Sequence, residues 1–191
     1  MLSEKAKELI TKSRIVSFDW SDYPESVVAI FQAADNESRY LTDEDIAQIQ
    51  AISPDLTANL AQGKILRDNV VEIVSNARAV VLEAHPGITE PGGGLYPPLR
   101  AEACWRDFWH FLRCISYGVS GQRLDYTSDR GLGYMEQLYQ ELQVPLEAMI
   151  LGLEQLEVFS LQYFAPASQD DLKPYFERLL QSMGQFSPRN Q

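Results

Sequence analysis

Five side chains able to do chemistry or stack on it, Arg100, Cys104, Asp107, Phe108 and Phe111, recur at the three- and four-residue spacing that keeps residues on one helix face. On a helical wheel with Cys104 at zero, Asp107 falls at about −60°, Arg100 at about −40°, Phe111 at about −20° and Phe108 at about +40°. One side therefore presents a thiol, a carboxylate, a guanidinium and aromatic rings together. Burying that set without partners would be costly, and it makes sense if a polar, conjugated molecule lies across the face. A second reading stays open on the wheel alone. It makes Cys104 a small core residue and leaves Arg100 and Asp107 as surface ions.

Other reactive residues offer less. His110 lies at about 240° from Cys104 and so faces a different pocket. His85 adjoins Pro86, where a capping or solvent role is commoner, and no Cys-x-x-Cys-His attachment site exists; haem is therefore disfavoured. A metal site has too few ligands at suitable spacing. Gly92-Gly93-Gly94 lacks the Lys-Ser/Thr pair and preceding strand of a phosphate loop. The cysteines and histidines form no recognisable nucleophile–base pair, so no enzyme is expected. Cys104 and Cys114 diverge around one helix, which argues against a bridge between them.

The elements that must carry this face are helical. Apolar residues recur at helical spacing nearly throughout, and no run alternates as a strand would. An amphipathic segment opens the chain, with Leu2, Ala6, Leu9 and Ile10 on one side, and a polar, aromatic stretch (17–24) leads to a helix near 25–34. Thr42 before Asp43, Glu44 and Asp45 is a helix start, with a hydroxyl cap and acids at the positive end of the dipole. A long helical region spans 56–83, and residues 86–98, rich in Pro and Gly, form a loop. The helix with the reactive face is expected over 99–117, with Gly118 as its C-terminal cap. Three more helices follow near 128–142, 145–164 and 169–183, and a frayed tail over 184–191. About eight short helices without a sheet favour an all-α, globin-like packing over an up-down bundle.

The chain of 191 residues suits one domain. The expected division is an N-terminal extension (1–24), a globin-like body (25–183) and the tail. Sixteen basic residues against 27 acidic ones give a net charge of −11. That surface repels phosphate backbones, so nucleic acid is not an expected partner, and a partner with a basic patch suits it better. No stretch approaches the apolar length of a membrane span. Charges run through MLSEKAKELITKSR where a signal peptide needs an apolar core, so a soluble, intracellular protein is expected.

From about Ala33 to Met183 the chain resembles phycobiliprotein subunits of the allophycocyanin and phycocyanin type, the globin-like bilin carriers of phycobilisomes. The marks are Arg39-Tyr40-Leu41-Thr42, Ser75-Asn76-Ala77, Pro91-Gly92-Gly93 with Tyr96, and Ala103-Cys104-Trp105-Arg106-Asp107. Leu112-Arg113, Ser116-Tyr117-Gly118, Val144-Pro145 and Tyr175-Phe176 follow in the family's order. The resemblance implies a linear tetrapyrrole of the phycocyanobilin type, joined by thioether to Cys104. It further implies Asp107 on the pyrrole nitrogens, and Arg100 and Arg106 on the propionates. The stem of Arg106, at about 200° on the wheel, must wrap around the helix to get there. Asn76 matches the site that is N-methylated in β-type subunits, and Tyr117 belongs to the same expected set. The implied partners are a phycobiliprotein-like subunit or a second copy, with a bilin lyase or bilin-synthesising enzyme. The implied location is cytoplasmic, at the cytoplasmic face of thylakoids.

The chain also departs from that pattern. About 24 residues precede the part that resembles the family's first helix, a region that makes the heterodimer interface in ordinary subunits. Trp105 stands where a small or aliphatic residue is usual, the turn Phe108–Phe111 is bulky, and Pro97-Pro98 stiffens the loop. The segment after Ser120 lacks the usual Ala-Gly-Asp step. These departures imply a divergent paralogue, and a second functional reading accompanies the first. In it the chain is an auxiliary globin, associated with bilin biosynthesis or phycobilisome assembly, that holds no stable pigment.

Overall fold

The protein is described by a computed structural model that covers residues 2–187. Ser3 opens helix α1 (Glu4–Lys12) by accepting a hydrogen bond from the Ala6 amide at 3.1 Å. The buried stripe of α1 is Ala6 and Leu9 alone; Leu2 and Ile10, expected beside them, are each 48% exposed. Helix α2 (Glu25–Asn36) follows. Helix α3 (Asp43–Ile52) starts with a reciprocal cap, the Thr42 hydroxyl on the Asp45 amide and the Asp45 carboxylate on the Thr42 amide, the sequence signature of a capping box.

The region expected as one long helix over 56–83 is two helices, α4 (Thr57–Asp68) and α5 (Val70–Ala84), behind a short 3₁₀ turn (Pro54–Leu56). They part at Asn69, whose side-chain amide donates to the Ile65 carbonyl at 2.8 Å. Asparagine competes in this way for the backbone acceptors that would otherwise continue a helix. Helix α6 (Pro98–Ser120) begins with Pro at its first position and is longer than expected. Gly118 is inside it rather than its cap, which falls at Gly121. The reason is packing. A Cβ on Gly118 would stand 2.5 Å from the Tyr126 ring, so the absent side chain makes room for that tyrosine.

Helices α7 (Asp129–Leu142), α8 (Leu146–Leu161) and α9 (Pro166–Gly184) complete the body. Among the described residues there are nine α-helices, and the one β-type pairing is an isolated bridge, Val16 with Thr127. The fold is all-α and globin-like. α6 is its axis, packed on α4, α5, α8 and α9, with every residue from Phe111 to Gly121 buried. A close approach is at Gly152 on α8, where a Cβ would meet the Phe108 ring at 1.9 Å. The expected fraying at 184 does not occur in the described part: Phe186 joins the core and the Ser187 amide donates to Glu136 at 2.7 Å. Residues 188–191 of that tail lie outside the described residues. No helix among those described is long and apolar enough to cross a membrane.

Candidate functional site

The face expected on α6 exists, and it is covered. Cys104 is 3% exposed. Burial, reinforced by the negative charge of Asp107 and opposed by Arg100, pushes its thiol up to about 12. Asp107 is half-buried, three residues on. Loss of water raises its carboxyl to about 6, against the opposing effects of a Tyr139 hydrogen bond and the nearby Arg106 charge. The Tyr139 hydroxyl, from the last full turn of α7, donates to Asp107 Oδ2 at 3.2 Å. Arg100 does not extend into solvent. Its Nη2 donates to the carbonyls of Leu142 and Gln143, which close the C-terminal end of α7, a favourable place for a cation. Its Nε is buried and has no hydrogen-bond partner.

The remaining expected residues divide. Arg106 is exposed on the far side of the helix, close enough for its charge to hold down the Asp107 carboxyl. Asn76 is half-buried on α5, two positions before Arg78, whose guanidinium lies 5.2 Å above the Trp105 ring. Tyr117 is not brought to the Cys104 face, because thirteen residues of helix carry it to roughly the opposite azimuth. There its ring meets Phe18 and Phe31, and its hydroxyl accepts from Arg113 and donates to the Arg39 carbonyl. Trp105 and Trp109, one turn apart on α6, are covered by different elements. Arg78 covers the first, and Tyr40 meets the second edge-on at 4.9 Å.

The far side of α6 carries a buried lock instead. Asp35 of α2 accepts from Arg113 at 2.8 Å and from Arg14 at 2.7 Å, one carboxylate oxygen for each. The His110 ring nitrogen Nδ1 accepts from Arg113 Nε at 3.3 Å. Burial first, then the Arg113 and Arg106 charges, lower that histidine to about 4, so it is neutral near pH 7. Among the described residues no cluster of three or more His, Cys, Asp or Glu could hold a metal ion.

Two participants had no signal in the sequence. Tyr139 and Asp35 act across 32 and 78 positions of chain, between helices whose spacing says nothing of each other.

The arrangement suits a molecule with N–H donors, acid groups and a conjugated body. The Asp107 carboxylate offers acceptors and Arg100 has a buried donor to spare, while Cys104 supplies sulfur and the Phe108 and Trp105 rings meet at 5.6 Å on the same helix. The family described as phycobilisome protein matches residues 29–183. The chain is 28% identical over 159 residues to the allophycocyanin subunit alpha-B of Synechocystis sp., covering 83% of this chain and 99% of that one. It is 31% identical over 163 residues to the allophycocyanin alpha-B chain of Pyropia yezoensis (82% and 98%), and 30% over 133 residues to the allophycocyanin subunit beta-18 of Cyanidium caldarium (70% and 78%). With four fifths of its length matched, this chain belongs to the phycobilisome protein family.

Proposed function

We propose that the chain is a bilin carrier of the phycobilisome, one domain with an N-terminal extension, that holds an open-chain tetrapyrrole on the Cys104 face of α6. The observation that carries this reading is the convergence of Cys104, Asp107 and Arg100 on one covered face, with the Arg100 Nε buried and unpartnered. Cys104 Sγ would supply the thioether. Asp107 would accept from the central pyrrole N–H groups, charge-assisted bonds that favour an extended and protonated pigment. Arg100 and, around the helix, Arg106 would take the propionates, which the planar guanidinium fork suits. Asn76, one helix away, is a candidate for the modification that β-type subunits carry. When bound, the pigment supplies absorption of red light and transfer of the excitation. The protein's part is rigidity, not catalysis, and its assembly partner would be a phycobiliprotein-like subunit on the thylakoid's cytoplasmic side.

A second reading has its own support. A thiol 3% exposed and pushed to about 12 is a poor nucleophile as it stands, because the thiolate is the reacting species. An auxiliary globin that holds no stable pigment needs nothing more. Co-production with a bilin-synthesising system separates the two. Colour that stays with the polypeptide in acid urea, and is absent from Cys104→Ala, is the result expected of the carrier. A colourless protein under ample bilin supply would leave the auxiliary globin standing.

A further inference from the structure

The helix that closes the Cys104 face is held from outside by the part of the chain that ordinary relatives do not match. α7 contributes Tyr139 to Asp107 and two terminal carbonyls to Arg100, yet its most extensive helix packing is with α1 and not with α6. Contacts from the extension run along the whole of α7. The Ser3 hydroxyl donates to Glu141 at 3.0 Å and Lys5 pairs with the same carboxylate at 3.1 Å. Ala6 and Leu9 are the buried face of α1, and Lys12 lies over the Tyr134 ring at 5.3 Å.

Past α1, the Arg14 carbonyl presses on Gly131 so closely that a Cβ there would stand 1.7 Å from it. The Ser128 amide, at the cap of α7, donates to the Ile15 carbonyl at 2.7 Å, and the Ser17 amide donates to Tyr126 at 2.8 Å. The backbone on either side of α7 adds no preference for this position. Gln122 before it and Gln143 at its C-terminal cap both have positive φ, 51° and 54°, a conformation that residues other than glycine rarely adopt. Packing, and chiefly packing on the extension, is what holds α7 down.

We propose that residues 2–20 are a strap that keeps α7 closed over Cys104, and that undocking of the strap governs access to the thiol. With the strap in place, Tyr139 and Arg100 tie α7 to α6 and the sulfur is sealed. With it released, α7 loses its most extensive helix packing and keeps its contacts to α9 and Phe186 with the Tyr139 and Arg100 ties to α6, so it can lift from Cys104 more readily. Its purpose rests on the pigment reading above, but the gate itself does not, since thiol access is measured with no pigment present.

The second cysteine makes the test internally controlled. Cys114 is also buried, 2% exposed and on the same helix, but it lies toward Arg14 at the far end of the strap and not under α1, so variants within α1 should leave its cover in place. The full chain and two variants, Ala6→Asp and the milder Lys5→Glu, would be treated with iodoacetamide under native conditions. Labelling at each cysteine would be followed by peptide mass spectrometry, with deuterium uptake over 4–12 reporting whether α1 is displaced. Cys104 labelling should rise about tenfold or more in Ala6→Asp and about three- to fivefold in Lys5→Glu, with Cys114 at the parent rate. An unchanged Cys104 rate with α1 displaced would overturn the proposal. So would a parallel rise of both cysteines in both variants, which would mean general loosening and no gate.

Discussion

Asp107 titrates in the folded chain at about 6, above its ordinary value of 3.8. Between those two pH values the folded state keeps a proton that the unfolded state has released. This group's contribution to folding is therefore most favourable below the lower value and is lost as pH rises through the upper one. The loss amounts to about 3 kcal/mol at most over that window. Asp107→Asn keeps an acceptor for Tyr139 and removes the titration. In urea unfolding followed from about pH 4 to 7, parent and variant should agree at the acid end, with the variant more stable at the neutral end. The Asp35 lock behaves differently because Asp35 and Arg113 are both buried. Asp35→Ala strands the Arg113 guanidinium and should cost about 3–5 kcal/mol in the same measurement. The two sites also differ in how they could be read. Arg100, Cys104 and Asp107 share a face because they are three, four and seven apart on one helix, and any wheel shows it. Tyr139, Asp35 and the carbonyls of Leu142 and Gln143 come from other helices, 32 to 78 positions away, and no local spacing announces them. For the same reason the sequence places Arg100 on the Cys104 face but does not reveal that it caps α7 in the fold.

At the scale of elements, periodicity and caps located most helices, and the misplaced boundaries have physical causes. Gly118 reads as a stop because glycine commonly ends helices; here it is a saddle for Tyr126, a residue the local sequence does not connect to it. Asn69 divides a stretch that apolar spacing alone would run together. The same closeness sets a prediction on α8. Gly152→Ala drives a methyl into the Phe108 ring, and an overpacked core of this kind loses about 1–3 kcal/mol. Phe108→Leu should relieve part of that loss, so that the double variant is more stable than the sum of the single ones predicts when thermal unfolding is followed by circular dichroism.

For the whole molecule the governing quantity is charge. A net −11 opposes association of like copies and favours a partner that presents a basic face. Mixing the chain with a complementary phycobiliprotein-like subunit should raise the sedimentation coefficient to that of a heterodimer, with an affinity that falls as salt is added. A self-dimer insensitive to salt would be the contrary outcome. The extension sits at this scale too, because its reach is the longest in the molecule: Ser3 bonds to a residue 138 positions later and Asp22 to one 101 positions later.

That reach has a consequence for biosynthesis. Residues 2–20 leave the ribosome before α7 does, and the surface they cover does not exist until α7 has been made. Domains emerge at about 5–20 residues per second, so the first segment of the chain, with Phe18 and Trp20 still uncovered, waits several seconds for its seat. During that interval Cys104 is already translated and nothing yet latches over it. If the strap gates the thiol as proposed, the newborn chain thus passes once through an open form that the finished protein revisits only by local unfolding.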